Sequence, residues 1–181
     1  MNIQQGFLKF ILGWLVCFLI RLIPFRAPNI EPVMATQMPF AKAYGWPGGF
    51  SFGFLSIVVF DLVVGKFGSW TWITAATYGL VGIGAYWFLK NRKQSPANFM
   101  AYGVIGTLVY DAITGLSIGT IFFGQPFMNA LTGQIPFTLM HLGGNLVFSA
   151  ILSPSLHKWV ITNERLEWGF IKQKIISWAR A

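Results

Sequence analysis

Residues 99–123 read FMAYGVIGTLVYDAITGLSIGTIFF, twenty-five residues with a single formal charge, Asp111, and no proline. A helix rises 1.5 Å per residue, so roughly 20 apolar residues cross the hydrocarbon of a bilayer. The run therefore predicts a membrane-crossing helix. A carboxylate in hydrocarbon is costly unless it faces protein or water, which makes Asp111 the first candidate for a functional group. Further apolar runs lie on either side, at 7–25, 32–43, 44–64, 70–89 and 132–156, with Lys9 and Arg21 near the ends of the first, where they can snorkel. The breaks between them carry glycine, proline or charge: Gly65-Lys66-Phe67-Gly68, Lys90-Asn91-Arg92-Lys93 and Gly124-Gln125-Pro126. Three prolines, Pro24, Pro28 and Pro32, forbid regular helix between the first two runs. The run at 32–43 is short and mixed, and predicts a short helix packed inside a bundle.

Composition agrees. Of the 181 residues only 10% are charged, against about 25% in soluble domains, while 55% are hydrophobic and 17% aromatic. So few ionised side chains cannot cover a soluble surface, which excludes a soluble enzyme or a disordered chain. The net charge of +8 does not point to nucleic acid, because the cations sit between apolar runs instead of on one soluble face. The expected fold is all-α: a six-helix transmembrane bundle over residues 1–156 with a short second helix, followed by a cytoplasmic tail over 157–181. That tail mixes Lys158, Glu164, Arg165 and Lys172 with Trp159, Trp168, Phe170 and Ile175, the pattern of an amphipathic helix lying on a membrane surface. The first run has no basic leader or small-residue cleavage site, and is expected to be retained.

Lysine and arginine asymmetry sets orientation. With the N-terminus inside, Lys9, Lys42, Lys90, Arg92, Lys93, Lys158, Arg165, Lys172, Lys174 and Arg180 are cytoplasmic, and only Arg21, Arg26 and Lys66 lie outside. Both termini are then cytoplasmic. Phe60-Asp61-x-x-x-Gly65 also echoes Tyr110-Asp111-x-x-x-Gly115, with Gly53 and Gly103 each eight residues before the aspartate. This is the pattern of an internal parallel repeat.

No nucleophile elbow, zinc-protease motif or phosphate-binding loop is present, and the two histidines, His141 and His157, form no triad with the residues near them in sequence. The single cysteine excludes an intrachain disulfide, and no His/Cys/Asp/Glu set has metal-ligand spacing. The chain is read as not an enzyme, with no cofactor and no metal. Polar and aromatic groups instead gather toward one side of the membrane. Asp61, Asp111 and Glu31 are the acidic candidates, their alternative being helix-end caps or ion pairs with Lys66, Arg21 or Arg26. Thr138, His141 and Asn145 share one helical face with Gln134 near by, and Gln125 and Asn129 precede them. Trp72 and Tyr78 offer aromatic surface on the fourth run, as does Tyr110 on the fifth. Asn29 lies in the proline-rich loop. Gly13 and Cys17 stand four apart on the first helix, a spacing that lets helices approach closely, either within the chain or as a docking face for another protein.

With Leu22-Ile23-Pro24-Phe25, Gly45-Trp46-Pro47-Gly48-Gly49-Phe50, Gly53 and Asp61 in view, the chain resembles the substrate-binding S component of energy-coupling factor transporters. The resemblance runs from about Gly13 to Leu156. It implies capture of a small vitamin-like nutrient at the outer face of the cell (inner) membrane. It also implies a transmembrane coupling subunit and ATPase subunits as partners, with Gly13 and Cys17 standing where the family carries its small-residue coupling motif. The substrate site expected from the residues comprises Asn29, Glu31, Asp61, Trp72, Tyr78, Asp111, Gln125, Asn129, Gln134, Thr138, His141 and Asn145. The alternative is a ligand-free scaffold of cell-wall synthesis or morphogenesis, in which the buried polar groups only hold helices together.

The orientation is testable by cysteine labelling. In a Cys17→Ser background, a cysteine replacing Lys93 is expected to react with a membrane-impermeant maleimide only from the cytoplasmic side. One replacing Lys66 is expected to react only from outside, and the reverse pattern inverts the topology.

Overall fold

The structure is a computed structural model and describes residues 6–24 and 30–179. Among these residues every regular element is helical: α1 (Phe7–Arg21), α2 (Val33–Val63), α3 (Ser69–Leu89), α4 (Pro96–Phe123), α5 (Phe127–Leu156) and α6 (Trp168–Ala179). A π-helical turn, His157–Ile161, prolongs α5, and a 3-10 turn, Glu164–Leu166, leads into α6. Four stretches have the length and apolarity of membrane spans: Val33–Val63, Ser69–Leu89, Pro96–Phe123 and Phe127–Ile161. They are the helices of a multi-pass membrane protein. Their outward faces carry side chains such as Leu80, Ile105, Leu108, Leu139, Val147 and Ile151, all exposed.

Helix ends follow local chemistry. Ser95 caps α4 by accepting from the backbone N–H of Asn98, Pro96 takes the first turn, and Gly124 closes the helix in the left-handed region at φ 61°. These caps place the start of α4 three residues before the apolar run, which begins at Phe99. Pro126 stands at the N-cap of α5, so the first turns of that helix include the polar residues Asn129 and Thr132 that lie outside the apolar run or at its edge.

The 31 residues of α2 do not form one rod. Gly45 breaks the helix at φ 77°, ψ −173°, a conformation that glycine adopts without strain. The rings of Phe40 and Phe52 stack with centroids 4.4 Å apart, although twelve residues of straight helix would separate them by about 18 Å. A Cβ on Gly49 would fall 2.7 Å from Ala41 Cβ, and one on Gly53 would fall 2.5 Å from Gln37 Oε1. The two halves, 33–44 and 46–63, are therefore folded back on one another. This matches the break between the second and third apolar runs.

The second half of α2 packs on α3 at backbone contact. A Cβ on Gly49 would lie 2.4 Å from the carbonyl oxygen of Gly82, and one on Gly82 would lie 2.3 Å from that of Gly49. The core behind this seam contains Met34, Met38, Ile57, Tyr78, Val81, Ala85 and Phe99. A second cluster, Phe10, Phe40, Tyr44, Phe52 and Ile161, joins α1 to α2.

The small-residue edge of α1 is used inside the chain. Cys17 is fully buried, and a Cβ on Gly13 would lie 2.4 Å from the Phe40 ring. Gly13 and Cys17, expected at a coupling-partner contact or in packing within the chain, are thus buried where α1 docks on α2: the large rings of α2 need the space that small residues leave. Lys9 departs from expectation too. It does not snorkel; fully buried, it donates to the carbonyl of Ile161 at 2.8 Å and to Glu167 Oε1 at 3.0 Å. The chain after α5 is thereby tied to the start of α1, and the α-helical part of the tail is α6, which follows the π-helical and 3-10 turns. At the same end, Lys42 donates to the carbonyls of Leu89 (2.5 Å) and Arg92 (2.6 Å), occupying acceptors at the end of α3. This is the basic end of the bundle.

Gly82→Val is expected to destabilise the protein by about 2 kcal/mol or more, because overpacking against rigid backbone has no side chain to displace. Gly133→Ala, at a site with nothing within 4 Å of the added carbon, is expected to be neutral or mildly stabilising. Thermal melts in detergent distinguish the two.

Candidate functional site

A cavity of about 250 Å³ opens at the end of the bundle opposite Lys42 and the α5–α6 junction. Three helices contribute residues one turn apart. Ile57 and Asp61 come from α2, Trp70, Thr74 and Tyr78 from α3, and Phe137 and His141 from α5. Tyr110 of α4, Arg21 of α1, Glu31 before α2 and Lys66 before α3 complete the wall. Exposure grades from rim to floor: Lys66 and Trp70 are exposed, whereas Ile57, Tyr78, Tyr110 and His141 are buried.

Two aromatic planes shape the interior. The Tyr78 and Tyr110 rings lie 4.2 Å apart between centroids, at 38° to one another. Tyr110 meets the His141 ring edge-on, at 5.6 Å and 81°. Charges stand around them. Arg21 Nε pairs with Glu31 Oε2 at 3.0 Å, and the same guanidinium lies 3.7 Å from the centroid of the Phe60 ring. Its Nη1 donates to the carbonyl of Ser56. Thr71 Oγ1 donates to Asp61 Oδ2 at 2.8 Å.

Behind the wall, Asp111 Oδ1 and His141 Nδ1 are 2.8 Å apart and both residues are buried, at 1% exposure each. A carboxylate only accepts, so the Nδ1 of His141 carries the proton in this bond. Asp111 Oδ2 and His141 Nε2 have no hydrogen-bond partner among the described residues. One turn deeper, Asn145 Nδ2 donates to Thr107 Oγ1 at 2.8 Å, leaving its Oδ1 likewise without a partner. The buried series His141, Asn145, Ser149 and Ser153 then continues down α5, and Ser153 donates to the Ala35 carbonyl of α2.

The residues expected from the sequence divide accordingly. Glu31, Asp61, Tyr78 and His141 line the cavity, and Asp111 supports it from behind. Gln134 lines an adjoining groove that shares Thr74, Tyr110 and Phe137 with it. Thr138, which accepts from Gln134 Nε2, faces a third groove along α4 and α5 together with Asp111. Asn145 lies below the cavity floor. Three placements need correction. Trp72 turns away, packing on Phe54 and Phe67, because it sits two residues from Trp70 and so on another face of α3. Gln125 and Asn129 are exposed at the α4–α5 connection and do not reach the cavity. Asn29 lies outside the described residues.

Arg21, Lys66, Trp70, Thr74, Tyr110 and Phe137 were not in the expected site. The signal that finds Trp70, Thr74 and Phe137, and with them Ile57, is spacing: positions 57/61, 70/74/78 and 137/141 are each four apart, so one assigned residue per helix nominates its neighbour a turn away. The repeat also has a spatial counterpart. Gly53 approaches the backbone of Tyr78 on α3, and Gly103 approaches Ser149 on α5. Eight residues after each, Asp61 and Asp111 bond a side chain of that same following helix, Thr71 and His141.

No protein-family model, curated protein or solved structure matches this chain.

Asp111→Ala is expected to cost about 1–3 kcal/mol of stability, since it leaves the buried Nδ1–H of His141 without an acceptor. The double variant Asp111→Leu/His141→Phe removes both polar partners and is expected to recover most of that loss. Thermal denaturation of the single and double variants measures the difference.

Proposed function

We propose that the chain is the membrane-embedded substrate-capture subunit of an ATP-driven uptake transporter. In this reading six segments pack within the inner membrane: α1, the two halves of α2, the first of them too short to cross it alone, α3, α4 and α5. Both termini are cytoplasmic and the cavity faces outward. The observation that carries the proposal is the cavity itself. Ion-paired and hydrogen-bonded side chains are expensive to enclose among apolar helices, yet here they converge on a space ringed by tyrosines and histidine. A bundle stabilised only by polar contacts between helices has no need of such a void.

The cavity is open at a rim of exposed residues, while its floor rests on packed core. That geometry suits binding from one side of the membrane and not free passage. A chain without a phosphate-binding loop takes its driving force from elsewhere, so a transmembrane coupling subunit and ATPase subunits are the proposed partners. The ligand is a small organic nutrient and the chain performs no catalysis of its own.

Mass spectrometry of molecules co-purifying with the solubilised protein tests the proposal. Tyr110→Leu and Asp61→Asn are expected to lower ligand occupancy at least about tenfold, the order expected when a ring contact or a charge-assisted hydrogen bond is lost. Trp72→Leu, away from the cavity, is expected to leave it unchanged. Absence of any small molecule that depends on the cavity residues overturns the reading.

A further inference from the structure

Among the side chains around the cavity, His141 stands out for what it leaves unpaired. It is 1% exposed and lines the cavity, its Nδ1 is engaged by Asp111 at 2.8 Å, and its Nε2 has no partner among the described residues. A buried polar atom without a partner is costly, and such an atom at a binding-site wall is commonly completed by the ligand. The polarity of the missing bond follows from the bond that is present. Asp111 accepts the Nδ1 proton, so in the neutral ring the remaining nitrogen offers a lone pair and no hydrogen.

We infer that His141, locked in one tautomer by Asp111, selects the ligand by accepting a hydrogen bond from it, and that the ligand is a one- or two-ring aromatic heterocycle presenting a ring N–H donor. This rests on the capture reading above. The ring character follows from Tyr78, Tyr110 and Phe137, which offer planar apolar surface beside His141. The size follows from the volume: about 250 Å³ is below the roughly 300–1,000 Å³ of sites for drug-sized ligands. Arg21 and Asp61 add a donor and an acceptor higher on the wall for polar substituents. Asp111 is then a positioning residue: it touches the imidazole, and the imidazole touches the ligand.

Two measurements test this. The first needs no ligand. The chain has two histidines, so His157→Gln leaves His141 as the sole imidazole, and nitrogen NMR of the histidine-labelled protein in lipid nanodiscs reads its protonation directly. The expected result is a protonated Nδ1 and a bare Nε2; a proton on Nε2, whether in the other tautomer or in the imidazolium, overturns the inference. The second uses benzimidazole and 1-methylbenzimidazole, which share a ring system and differ in the N–H donor. Benzimidazole is expected to bind about tenfold more tightly or better, and His141→Phe is expected to bring the ratio to one. Equal affinity of the two probes for the unmodified protein overturns the donor requirement. Binding of neither, while the protein still retains a co-purifying molecule, overturns the ring class and leaves the capture reading standing. If no small molecule depends on the cavity at all, the capture reading itself fails.

Discussion

A charge enclosed by apolar helices must meet its counter-group there, because lipid supplies none. The architecture of this chain follows that constraint from end to end. At the basic end Lys9 is satisfied by a backbone carbonyl and by Glu167, which pins the segment after α5 to the first helix. At the cavity end Arg21 meets Glu31 and the Phe60 ring, tying the close of α1 to the entry into α2. Asp61 is satisfied across the α2–α3 seam and Asp111 across the α4–α5 seam. Lys9 joins elements distant in sequence, and the other three pairs each fasten one element to the next, so the polar residues that lipid would reject also hold neighbouring helices together.

Much of this was legible beforehand. The apolar runs, their Gly/Pro/charge punctuation and the separation of a short second segment from the third could be read because each depends on local composition. The break at Gly45 is the clearest case: a glycine flanked by Tyr44 and Trp46-Pro47 closes one run and opens the next, and only at such a residue is φ 77° free of strain. The acidic site residues were legible for a related reason, since a carboxylate within a long apolar helix is conspicuous.

What the sequence did not disclose was orientation about each helix axis. Trp70 and Trp72 look equivalent as letters, yet one borders the cavity and the other packs on Phe54 and Phe67. Gly13 and Cys17 signalled close approach, but not that the rings Gly13 meets are those of Phe40 and Phe52. Lys9 read as a snorkelling end residue; its burial depends on the chain returning some 150 residues later, at Ile161. These are long-range facts, and periodicity carries no information about them.

The reversal at Gly45 bears on how the protein is made. The half of α2 before it, residues 33–44, spans about 18 Å as helix, well short of the roughly 30 Å hydrocarbon layer, and it carries Thr36, Gln37 and Lys42. Such a segment is a poor substrate for insertion by itself. Its faces are covered by α1 at Gly13 and by the second half of α2 at Gly49 and Gly53, so its stable placement is expected only once the chain through about residue 63 has been made.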